Sequence, residues 1–163
     1  MESIKFLLKR TLHHPNTMPW AFISTMVAIM ASYNTIIRYG FSEKMLEKVF
    51  IIYPLIVIFI YCLRTYITLP IVMKIHSYFP TILTNNIPRH ISVPVLVITF
   101  NVSIMMVLFT EMNRQLYPQF LSGYLGNWVK TFFVAIPVFF FVVRPTLVNI
   151  FKKLKQSYPL SLK

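Results

Sequence analysis

Between Arg10 and Arg38 the sequence holds no Lys, Arg, Asp or Glu, and none occurs again between Ile91 and Thr110. A helix needs about 20 predominantly apolar residues to cross a bilayer. A helix that is apolar all round cannot rest on the surface of a water-soluble domain. Residues 18–37 and 91–110 therefore read as membrane spans. Two further apolar stretches, 49–73 and 128–151, are interrupted by Arg64 in one and by Lys130 and Arg144 in the other. Each carries two prolines, Pro54 and Pro70, then Pro137 and Pro145, which are tolerated in membrane helices and predict kinks. Barrel strands would alternate apolar and polar residues. Runs such as YPLIVIFIY and VAIPVFFFVV do not alternate.

Composition agrees. Of the 163 residues 56% are apolar and 12% charged, with mean hydropathy +0.65. Soluble domains carry about 25% charged residues, so too little charge remains here to clothe a water-facing surface. Sixteen Lys and Arg against four Asp and Glu give a net charge of +12. The basic residues lie at the edges of apolar runs, where they meet anionic headgroups and set orientation. A nucleic-acid reader would need a polar scaffold to present them, so no nucleic-acid partner is expected.

The fold class that follows is all-α, an integral membrane four-helix bundle made of two tandem helical hairpins. Residues 1–17 read as an N-terminal interfacial segment, because the apolar stretch in MESIKFLLKR is too short for a secretory signal. Residues 18–75 form the first two-helix repeat and 76–90 a linker with Pro80, Asn85, Asn86 and Pro88. Residues 91–154 form the second repeat and 155–163 a basic tail. The polar stretches 39–48 and 111–127 read as the turns of the two hairpins.

The halves resemble each other at a shift of 75 residues. Pro19 falls on Pro94, Pro70 on Pro145, Ile23 on Ile98, Val27 on Val102 and Met30 on Met105. Ser24, Ala28, Ala31 and Thr35 share one helix face, and their shifted partners are Thr99, Ser103, Met106 and Thr110. Small and hydroxylated residues let helices approach closely, so this stripe reads as a packing seam. The sharper alternative is a polar pathway or small-molecule site between the halves. Two helices per repeat return the chain to its starting side, which makes the repeat a parallel one about an axis along the membrane normal. With both termini cytoplasmic, 11 Lys and Arg fall inside and 5 outside, as the positive-inside rule favours.

Ionisable and polar residues within spans are functional candidates, because burying them is costly. Arg64 and Arg144 lie six and one residues before the matched prolines. They read as snorkelling to lipid headgroups, with anion binding as the alternative. Asn34 and Asn101 are expected to bond across to a neighbouring helix. Glu111 is placed to pair with Arg114 one turn on. No nucleophile–base grouping lies within the apolar zone. His13, His14, His76 and His90 lack accompanying Cys or carboxylates, and with three glycines there is no Gly-rich phosphate loop. Neither enzymatic activity nor a metal or cofactor is expected.

The segment 98–154 resembles a known family. Its features are a Ser- and Met-containing helix ending at Thr110, the P-x-F-L turn Pro118–Leu121, Trp128, Ala135-Ile136-Pro137, and Pro145 ahead of a basic end. These are similar to the bacterial two-helix membrane proteins grouped as domain of unknown function 2798. The first half fits through Met26, Met30, Ser32, Thr35, Phe41 and Pro70, without a Trp at the place of Trp128. The resemblance implies two tandem copies in a bacterial inner membrane, with no assigned chemistry. Two functions are then open. One is a non-enzymatic accessory protein associating with lipid, another membrane protein or a second copy of itself. The other is a small oligomeric transporter or channel lined by Asn34, Thr35, Asn101, Thr110 and Glu111.

Overall fold

The computed structural model of the chain describes residues 9–41, 43–78, 87–112 and 119–159. Among these there is no strand. Four helical rods carry the fold, each long and apolar enough to cross a membrane. The first, α1, spans Thr17–Tyr39. The second, α2, runs unbroken as α-helix Glu43–Cys62, π-helix Leu63–Thr68 and α-helix Leu69–Ser77. The third, α3, spans Arg89–Met112. The fourth, α4, comprises α-helix Phe120–Pro137, π-helix Val138–Val143 and α-helix Arg144–Ser157.

The prolines explain the two π segments. A proline inside a helix donates no backbone bond and crowds the carbonyl four residues back. For Pro70 and Pro145 those carbonyls belong to Tyr66 and Phe141, both within the π segments. The wider turn absorbs the crowding: Leu69 N–H bonds the Arg64 carbonyl and Arg144 N–H the Phe139 carbonyl, five residues back in each case. The rods continue through their prolines. The π segments begin 75 residues apart, at Leu63 and Val138.

The rods are longer than the apolar runs. α2 starts at Glu43, so Glu43, Lys44, Glu47 and Lys48 open a helix rather than fill a turn. Gly40 makes the reversal after α1, with φ +73°, its N–H bonded to the Ile36 carbonyl. That left-handed conformation is the one glycine adopts freely. α4 starts at Phe120, which corrects the reading of 111–127 as one loop. Gly123 and Gly126 each cost roughly 1 kcal/mol in a helix. Tertiary contacts offset this: Asn127 is buried, and Trp128 Nε1 donates to Ser103 Oγ at 2.9 Å. α2 ends at Ser77 and α3 begins at Arg89, so 79–86 of the expected linker lie outside the described residues. Residues 9–13 are helical and tied to α1 by Thr17, whose hydroxyl donates to the Thr11 carbonyl.

α1 packs on α2 and α3 on α4, as two hairpins. The hairpins meet along two further seams, where the second half of α2 lies on α3 and α1 lies on α4. The rods thus form a closed ring. In the first hairpin Ile23 and Val27 pack on Val57, Trp20 stacks on Tyr61 at 4.0 Å, and Tyr53 Oη donates to the Ser24 carbonyl at 2.9 Å. Outside the ring, Phe50, Leu55, Tyr66, Phe133 and Phe141 are exposed. A soluble monomer rarely exposes a contiguous apolar surface on this scale, whereas lipid covers it at no cost.

Candidate functional site: a cavity between the hairpins

The centre of the ring is not filled by side chains. A cavity of about 1100 Å³ lies between the hairpins, lined by all four rods. Along α1 its lining runs from Met18 to Asn34, about 24 Å of helix at 1.5 Å per residue. Ligand sites commonly measure roughly 300–1,000 Å³, so this one is large and elongated. Its wall is chiefly aliphatic, with six of the chain's nine methionines, Met18, Met26, Met30, Met73, Met105 and Met106. Methionine is flexible and polarizable and adapts to varied apolar shapes.

Three polar groups face the cavity wall from the seams between hairpins. Asn101 of α3 accepts from Thr68 Oγ1 of α2 at 2.8 Å, and Asn34 of α1 accepts from Thr131 Oγ1 of α4 at 3.2 Å. Asn34, Asn101 and Thr131 line the cavity, and Thr68 is fully buried behind it. Each asparagine therefore bonds across to a neighbour, and in both cases the neighbour belongs to the other hairpin.

Basic side chains gather on the same wall. Arg64, Arg89, His90 and Arg144 line the cavity, and no Asp or Glu does among the described residues. Arg144 Nη1 donates to the His90 carbonyl at 3.2 Å, and its guanidinium lies 5.7 Å from the Phe140 ring centre. Arg89 Nη2 points at Met73 Sδ, 3.4 Å away. Arg64 is half-buried, and its guanidinium makes no hydrogen bond or ion pair among the described residues. It stands near the middle of the apolar stretch Phe50–Ser77. His76 lies behind this wall, 3.0 Å from Ser92 Oγ.

The remaining candidates fall elsewhere. Ser24 bonds its own helix and receives Tyr53 on its carbonyl, so it faces α2. Ala28 and Thr35 are half-buried, and of the first stripe only Ala31 reaches the cavity. In the second hairpin Thr99 and Ser103 bond back along α3, and Ser103 receives Trp128 of α4. Met106 is buried and meets Thr131. Thr110 is buried on α3, its hydroxyl without a hydrogen-bond partner among the described residues. Glu111 is exposed near the end of α3, and its expected partner Arg114 lies outside the described residues. Thr35, Thr110 and Glu111 do not line the cavity. Sequence reasoning missed Thr68, Thr131, Arg89 and the methionine wall. The available signal was the chemistry of Asn34 and Asn101, each of which needs a donor on a facing helix.

The fold and cavity define an all-helical bundle of the membrane-protein type with a binding-sized space between two hairpins. Residues 88–155, the second hairpin but for its last two residues, match the family described as "Domain of unknown function (DUF2798)". Neither the curated proteins nor the solved structures compared with the chain include a match.

Proposed function

We propose that this is a multi-pass inner-membrane protein whose two tandem hairpins hold a small, largely apolar molecule between them, as a carrier or transporter does. The single observation that carries this reading is the 1100 Å³ cavity between the hairpins. A purely structural accessory protein has no need of such a space, and close packing would be the more stable arrangement. The cavity therefore favours transport or carriage over the accessory role.

A repeat underlies the arrangement. The π segments and the prolines after them recur at 75 residues. The place of Trp128 is held in the first half by Tyr53, and both aromatics bond the preceding helix of their own hairpin. The first half thus reads as a diverged copy of the matched domain. On this reading the two copies are related by an axis along the membrane normal, and both termini lie on the cytoplasmic side. Uncoupled rocking of one hairpin against the other about the two asparagine seams would open the cavity.

The test is saturable binding of an uncharged lipophilic fluorophore to the purified protein in a non-ionic detergent. Ala31→Trp and Val97→Trp, which fill the cavity from α1 and α3, should each abolish saturable binding while leaving the unfolding midpoint within a few degrees. Unchanged binding in both variants would refute the reading.

A further inference from the structure

The composition of the cavity wall narrows what it can hold, given the reading of that cavity as a binding site. An arginine within a membrane span is expected to have a counter-charge or a water-filled outlet. The Arg64 guanidinium has no ion pair or hydrogen bond among the described residues, and the half-buried side chain faces a cavity whose described wall bears no carboxylate. Arg89 and Arg144 add positive charge to the same wall, and Arg144 is held in place by the His90 carbonyl. The missing counter-charge is thus not supplied by the described protein, and an anion is the complementary partner. The rest of the wall is chiefly apolar, methionine-rich and about 24 Å long. A small inorganic anion would leave that length unfilled. A cation or zwitterion would set positive charge against Arg64.

We propose that the cavity binds a single-chain anionic amphiphile of the long-chain carboxylate class, its headgroup paired with Arg64 and its alkyl chain extended along the methionine wall. Guanidinium and carboxylate pair bidentately, and Arg64 retains the donors to do so. Arg89 and Arg144 draw the headgroup toward the cavity. The flexible methionines accommodate chains of different length and unsaturation.

Native mass spectrometry of the full chain in a non-ionic detergent tests this with three probes of equal chain length: a saturated carboxylate, its alcohol and its trimethylammonium analogue. One carboxylate should bind per chain, with the alcohol at least about tenfold weaker, the scale of a charge-assisted hydrogen bond, and the ammonium weaker still. Arg64→Gln should reduce carboxylate binding to the alcohol's level. Arg64→Lys should restore most of it, and Lys130→Gln, exposed and outside the cavity, should change nothing. Equal binding of acid and alcohol by the parent protein, with both blocked by Ala31→Trp, would overturn the anion assignment and leave the cavity reading standing. No saturable binding of any probe would overturn both. The probe comparison on the parent protein decides the matter even if Arg64→Gln fails to fold.

Discussion

Side-chain hydrogen bonds join the hairpins at the level of single residues. Thr68 to Asn101 and Thr131 to Asn34 each cross a seam between the hairpins, and His76 meets Ser92 across the first of these seams. In a bilayer such bonds are worth about 0.6 kcal/mol on average, because the separated helices also find partners. A double-mutant cycle with Thr68→Val and Asn101→Leu, read by unfolding in mixed micelles, should give a coupling of about that size. Zero coupling would mean that the bond contributes no specificity to the seam. The two asparagines were legible in the sequence because a polar amide in a span demands a partner. Thr68 and Thr131 were not, since a hydroxyl can satisfy itself on its own helix and so gives no sign of a distant contact. Arg64 shows the same limit. Its presence in a span was plain, but its facing a cavity depends on the turn of α2 through Leu63–Thr68, which no periodicity announces.

Among the elements, the two π segments determine which faces meet. Each adds roughly one residue to the local turn, so the helix beyond it is rotated by about 100° relative to a continuous α-helix. Beyond the first of them Val72 is fully buried and His76 meets Ser92. Deleting Tyr66 should restore ordinary α-helix and turn His76 away from α3. With Cys62→Ser as background, paired cysteines at His76 and Ser92 should cross-link readily in the full-length chain and fail to do so in the deletion variant. Equal cross-linking would show that the π turn does not set the register. The number and approximate places of the rods followed from the charge-free runs. Their ends did not, because Glu43–Lys48 and Phe120–Asn127 look like loop by composition. A helix emerging from lipid can carry charged and glycine residues so long as its buried face is secured, as Asn127 and Trp128 secure α4.

For the whole molecule, large apolar side chains are exposed on the outside of the ring and arginines stand on the wall of its cavity, the division that the proposed lipid-facing and ligand-facing surfaces require. The proposed orientation, with both termini in the cytoplasm, follows from the distribution of Lys and Arg along the chain. With Cys62→Ser as background, Phe41→Cys and Gln119→Cys should react with a membrane-impermeant maleimide on intact cells, and Ser157→Cys only after lysis. The reverse pattern would invert the orientation. The cavity itself was not legible beforehand, since methionine, valine and isoleucine compose packed seams and ligand walls alike. It exists only if the rods close into a ring through α2 on α3 and α4 on α1. That closure is measured by cysteine pairs at Thr68 with Asn101 and at Asn34 with Thr131, oxidised or bridged by a short bifunctional reagent in native membranes. Both pairs should link within a single chain, seen as a compact monomer on a denaturing gel. Links formed only between chains, or at one seam and not the other, would contradict the ring and the cavity with it.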